Sequence, residues 1–169
     1  ENDMGEARRK RLRFDQAARG FQGRQWVSEG RVDLLEKLVE EGFDLNTRDL
    51  FSESTLLHLA AWEEHDVAVQ WLTSQGAVAS LETRDKSGHT ALMLAARSPG
   101  KKGGDCVKML VEAGADWEAT NLDGDTAEGL AGNPETKDFL ANLRTAKEAQ
   151  RLHQALPTVG AVDNHQERF

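Results

Sequence analysis

Cysteine is nearly absent from this chain: Cys106 is the single one in 169 residues, which excludes an intramolecular disulfide framework and any zinc site built from several thiolates. No apolar run reaches membrane-spanning length, and no secretory h-region is present. These absences give the expectation of a cytoplasmic protein with no membrane association. The motifs of common enzymes are missing as well: there is no GxSxG, no cysteine pair and no glycine-rich fingerprint after a strand. The glycines and lysines of RSPGKKGGD at 97–105 lack GxxxxGK[ST] spacing and do not read as a phosphate cradle. No cofactor and no metal site are expected.

Charge is abundant, with a net value of −8, and it is unevenly placed. Residues 1–24 carry seven basic groups against four acidic ones, which leaves an excess of eleven negative charges on the remainder. An acidic body repels phosphate backbones, so no nucleic-acid partner is expected for it, and a basic protein surface suits it better. The basic run RRKRLR at 8–13 fits a solvated helix face, with a nuclear-import signal or a nucleic-acid arm as the alternative.

Internal repetition organises the chain. NTRDLFSESTLLHLAA (46–61) aligns with ETRDKSGHTALMLAA (82–96) and more weakly with ATNLDGDTAEGLA (119–131), which places Thr55, Thr90 and Thr126 at intervals of 35 and 36 residues. Each threonine is placed to cap a short helix, and Ala60, Ala61, Ala95 and Ala96 let that helix approach its neighbours closely. The second apolar stretch of each unit, VAVQWL or CVKMLV, has the spacing of a longer outer helix, and Gly42, Gly76 and Gly114 suit the left-handed position that ends one. DKSG at 85–88 and NLDG at 121–124 read as turns.

DKSGHTALMLAA and CVKMLVEAGADWEATNLDGDTA closely resemble the ankyrin repeat, with its T-P-L-H-x-A-A helix at a period of about 33 residues. The resemblance covers residues 30–143 as two good repeats flanked by two degraded ones. It implies an all-α ankyrin-repeat solenoid of about four helix-turn-helix units with short β-hairpin fingers and helical caps. Residues 1–29 are expected to form an N-terminal helical cap and a degenerate first inner helix, and 144–169 a capping helix and a tail. The capping helix is predicted over FLANLRTAKEAQRLHQAL, begun after Pro134 and stopped before Pro157. Compared with the family pattern, the first two fingers are lengthened, and 97–105 is expected to be an exposed, mobile loop between two helices.

One stretch invites a catalytic reading. In TLLHLAAWEEH (55–65), His58 and His65 bracket Glu63 and Glu64, but the spacing fails HExxH and HxxEH, and a helix end separates the histidines. The resemblance gives His58 a structural role, bonding to neighbouring backbone. Cys106 aligns with an apolar position of the outer helix and reads as core. A metal-dependent enzyme using Glu63, Glu64 and His65 stays as a remote alternative, and no catalytic residue is expected.

Surface recognition is what remains, the usual work of a solenoid with a concave face. The resemblance implies contacts at the finger tips and the exposed side of the inner helices. On this chain those positions are Leu50, Phe51, Ser52 and Glu53 on the first finger, Lys86, Ser87 and His89 on the second, and Leu122, Asp123 and Asp125 on the third. The matching helix-end positions are Trp62, Glu63, Glu64 and His65, followed by Arg97 and Ser98. Trp62 stands where the family usually has a long polar residue, and a tryptophan beside carboxylates suits an anchor for a basic partner. The expectation is a non-enzymatic protein-binding module, monomeric when free, that inhibits by masking a basic surface of a toxin or enzyme, as a bacterial immunity protein would. The alternative is a eukaryotic nuclear or cytoplasmic regulator of a kinase or transcription factor.

Overall fold

Each unit places its apolar residues along one stripe of a short helix, so each helix has a face to bury against another. The computed structural model, which describes residues 19–75 and 77–155, meets that need with two layers of helices. A helix over 19–28 (α1) is followed by α2 (Val32–Glu40), α3 (Leu56–Trp62), α4 (Asp66–Ser74), a 3-10 turn (Ala77–Ser80), α5 (Ala91–Ala96), α6 (Lys101–Glu112), α7 (Ala127–Leu130) and α8 (Pro134–Ala155). Inner helices α3, α5 and α7 stack in sequence, and α2, α4, α6 and α8 stack behind them, giving an all-α solenoid. The basic run 8–13, most of the predicted N-terminal helix, Gly76 and the tail after Ala155 lie outside the described residues.

The three evenly spaced threonines are the helix caps. Thr90 Oγ1 accepts the Met93 N–H at 3.4 Å and Thr126 Oγ1 that of Gly129 at 3.2 Å, while Thr55 and His58 form a reciprocal capping box. Behind them, buried Ala60, Ala61, Ala91, Ala95 and Ala96 end at Cβ and allow the inner helices to stack closely. Gly114 ends α6 at φ +98°, where its N–H reaches Val111 O at 3.0 Å and that of Ala115 reaches Leu110 O at 2.9 Å.

The fingers are tight turns rather than strands. Asp49, Asp85 and Asn121 each close a turn by donating their N–H to the carbonyl of Ser54, His89 and Asp125, at 2.8, 2.9 and 2.9 Å. The side chains of the same three residues accept further backbone N–H groups, at Phe51 and Ser52, Ser87 and His89, and Asp123 and Asp125. Side-chain acceptors thus satisfy donors that a hairpin ladder would use, and the isolated bridge Thr120 to Thr126 is the one β pairing among the described residues. The expected β-hairpins are corrected accordingly.

The expected loop at 97–105 is also corrected. Helix α6 begins at Lys101 and takes in Gly103 and Gly104, leaving a link of four residues. Glycine is required there by close approach: a Cβ at Gly103 would lie 2.4 Å from Ser98 Cβ and 2.9 Å from Ala95 O. Gly103→Ala is therefore expected to lower stability by about 1–2 kcal/mol, overlap outweighing its better helix propensity. Gly129→Ala, whose Cβ would meet only Thr126 Oγ1 at 3.7 Å, is expected to be neutral or mildly stabilising. Urea titrations of the two variants beside the parent check this contrast.

Bonds between units hold the stack in register. Arg48 Nη2 donates to Arg84 O, and Arg84 Nη1 donates to Thr120 O, each reaching 36 residues forward. Lys86 N donates to Ser52 O at 2.9 Å, Asp116 N to Glu82 Oε1 at 2.8 Å, and Asn133 Nδ2 to Ser98 O at 3.2 Å. His58 belongs to the same set. Its Nδ1 accepts the Thr55 N–H at 3.2 Å, which leaves Nε2–H to donate to His89 O at 3.1 Å in the following unit.

Fully buried, His58 titrates below its ordinary value: burial lowers it, and the bond to the His89 carbonyl and the Asp85 charge oppose that only in part. Above about pH 6.5 the ring is neutral in both folded and unfolded chains and contributes no pH dependence. Below that value the unfolded chain takes up a proton that the native ring refuses, so stability falls as pH drops toward the lowered native value. Melting curves from pH 7.5 to 5 are expected to show this loss in the parent. The loss should be smaller in His58→Met, which carries the residue that Met93 supplies one unit later.

Candidate protein-binding face

The predicted contact positions separate into two groups once placed on the stack. Leu50, Phe51, Glu53, Lys86, Ser87, Leu122, Asp123 and Asp125 are exposed on the finger tips, with Leu50 at 80%, Phe51 at 83% and Leu122 at 76%. Ser52 is half-buried, its hydroxyl bonded to Asp49 and Ser54. His89 and Ser98 are buried and join units to each other, so they are corrected out of the exposed set. His89 sits 3.5 Å from Asp85 and 3.3 Å from Asn121 Nδ2, and Ser98 bonds to Glu64.

The Trp62–His65 segment divides in the same way. Trp62 ends α3 with 53% of the residue exposed, and Arg97, exposed at the end of α5, places its guanidinium 5.5 Å from the ring centroid. The three residues after it turn toward the stack. Glu63 Oε1 accepts from Ser28 Oγ at 3.0 Å, and His65 lies 3.1 Å from Ser28 O, so both tie the link to α1. Glu64 takes the left-handed conformation at φ +59° and accepts from the Ser98 hydroxyl, close enough to Gly100 that a Cβ there would lie 2.5 Å from its Oε2. The carboxylates beside Trp62 are therefore hydrogen-bonded within the fold.

Two features escape sequence inspection. Leu59 and Leu94 join Trp62 in an open groove of about 260 Å³ on the inner face, with Arg24, Ser54 and Asp85 at its edges. A second groove, of about 370 Å³, lies between α1 and the first finger and is walled by Phe21, Phe43, Leu50, Phe51 and Leu56, again with Arg24 at its edge. Periodicity marks Leu59 and Leu94 as apolar without saying which face they occupy, and Arg24 and Phe21 belong to a helix with a poor repeat match.

Burial pushes the Cys106 thiol up to about 12, far from a reactive thiolate. No three His, Cys, Asp or Glu side chains converge to hold a metal among the described residues, and none of the described helices is long and apolar enough to cross a membrane.

Comparison with known proteins agrees with the architecture. The family described as ankyrin repeats (3 copies) matches residues 25–121, more than half of the chain, and the chain belongs to that family. It is 33% identical over 116 residues to bovine Ankyrin repeat domain-containing protein 37, an alignment covering 67% of this chain and 70% of that protein. It is 40% identical over 104 residues to human Ankyrin repeat and SOCS box protein 6, covering 59% of this chain and 24% of that protein. A third similarity, 31% over 115 residues, is to Intracellular phospholipase A2 of Caenorhabditis elegans, and covers 67% of this chain but 11% of that enzyme. The chain thus spans about a quarter of the length of the SOCS box protein and a ninth of the phospholipase. The family is in general one of non-enzymatic protein-interaction modules.

The division among Trp62, Glu63 and Glu64 predicts different behaviour on substitution. Glu64→Lys removes the acceptor of the Ser98 hydroxyl at a strained link and is expected to cost about 1–3 kcal/mol. Trp62→Ala, at an exposed ring, is expected to cost less than about 1 kcal/mol. Thermal denaturation of the single variants checks the order.

Proposed function

We propose that this chain is a protein-binding module that captures a partner on its inner face, with Trp62 as the anchor, and masks the surface it covers. The observation that carries this reading is the half-exposed Trp62 ring beside Leu59 and Leu94 in a groove open to solvent. Large aromatic side chains in such positions supply much of the energy of protein interfaces, and the surrounding contacts exclude water. The exposed finger-tip residues Leu50, Phe51, Lys86, Ser87, Leu122, Asp123 and Asp125 extend the same surface.

Masking makes the module an inhibitor by occlusion, and no catalytic step is assigned to it. Relatives from human, cattle and nematode favour a eukaryotic regulator, of the kind that holds a kinase or transcription factor, over neutralisation of a bacterial toxin. The net charge of −8 draws a basic partner at long range, but the contact itself is set by the groups lining the groove.

Affinity capture from a eukaryotic extract with the parent, Trp62→Ala and Leu94→Ser, quantified by mass spectrometry, tests the reading. Proteins held by the parent should be depleted at least tenfold with Trp62→Ala. Retention by a folded Trp62→Ala chain excludes the inner-face anchor.

A further inference from the structure

Arg24 borders both grooves of the inner face, the one holding Leu59, Trp62 and Leu94 and the one walled by Phe21 and Phe51. Its guanidinium bonds to Ser54, at 3.1 Å to Oγ and 3.4 Å to the carbonyl, and has no ion-pair partner among the described residues. The neighbouring carboxylates have their oxygens engaged by other donors. Asp49 caps the first finger by accepting from Phe51 and Ser52, and although burial raises its pKa, those bonds and the Arg24 charge hold it below the ordinary value. Asp85 accepts from Ser87 and His89 in the second finger, and Glu53 pairs with Arg48 at 2.9 Å.

Arg97 repeats the situation at the far side of Trp62. It stacks on the indole and has no carboxylate partner among the described residues. Among the described residues the inner face therefore presents two apolar grooves with one cation lacking a salt-bridged carboxylate between them and a second beyond, on a chain that is acidic overall. Arginine in such a setting accepts a carboxylate with directional, charge-assisted bonds, and an apolar surround strengthens them.

We propose that the segment bound here carries an acidic residue between two bulky apolar ones, the carboxylate meeting Arg24 and the flanking side chains entering the two grooves. The proposal rests on the inner-face reading above and names the chemistry of the partner.

Selection of a random-peptide display library against the full chain tests it, followed by affinity measurements with the enriched peptides. Enrichment of Asp or Glu between two apolar residues is expected, with binding weakened roughly tenfold or more by Arg24→Gln, which keeps a donor for Ser54 while removing the charge. Selection against Arg24→Glu should shift the central position to Lys or Arg. Peptides that lose binding with Trp62→Ala yet carry no acidic residue, or are indifferent to Arg24→Gln, overturn this inference and leave the inner-face reading standing. Peptides indifferent to Trp62→Ala as well, or no enrichment at all, overturn both. Melting curves of each variant identify any loss caused by unfolding, and in that event Arg24→Lys, which restores the charge, must recover binding of the acidic peptides for the proposal to stand.

Discussion

The carbonyl of one finger is held by the arginine of the finger before it: Arg48 reaches Arg84, and Arg84 reaches Thr120. Every other feature of the molecule depends on that kind of reach. A single unit here consists of an inner helix of four to seven residues and a longer outer one, too short to be stable alone in water. Stability comes when the face of one helix pair is covered by the next, and the forward bonds from Arg48, His58, Glu64, Arg84 and Ser98 fix how the pairs meet. The inner groove follows directly, because Leu59 and Leu94 stand side by side only when α3 and α5 are in register.

Much of this was legible because periodicity is a property of sequence. Thr55, Thr90 and Thr126 announce their own spacing, the alanines after them announce close packing, and Gly42 and Gly114 announce helix ends, all of which the fold uses as expected. What was illegible depends on contacts between units. Nothing local distinguishes KKGGD as a helix start from KKGGD as a loop; the decision is made by Gly103 fitting against Ser98 and Ala95. The finger turns likewise look like hairpins until Asp49, Asp85 and Asn121 are seen to occupy the donors that strands would need.

The same distinction divides the candidate site. Trp62 was legible as an unusual residue at an exposed position, and it is exposed. Its neighbours Glu63, Glu64 and His65 shared that position in sequence but not in space, because the chain reverses at Glu64 and turns their polar atoms toward Ser28 and Ser98. Arg24 was hidden for the opposite reason, since it comes from a helix without a clear repeat pattern and meets the inner face only through the stack. Linear charge counting shows neither Arg24 on the inner face nor the carboxylates whose oxygens are engaged in holding turns.

The forward bonds also say something about how such a chain changes length. Their spans lie near one unit, 31 to 36 residues, so each group needs only the unit next to it. Copying or losing a whole unit leaves every span intact at the new junction, whereas an insertion of a few residues inside a unit shifts a donor away from its carbonyl. Growth by duplication is therefore mechanically inexpensive, and the inner groove lengthens in the same increments, one finger and one helix end at a time.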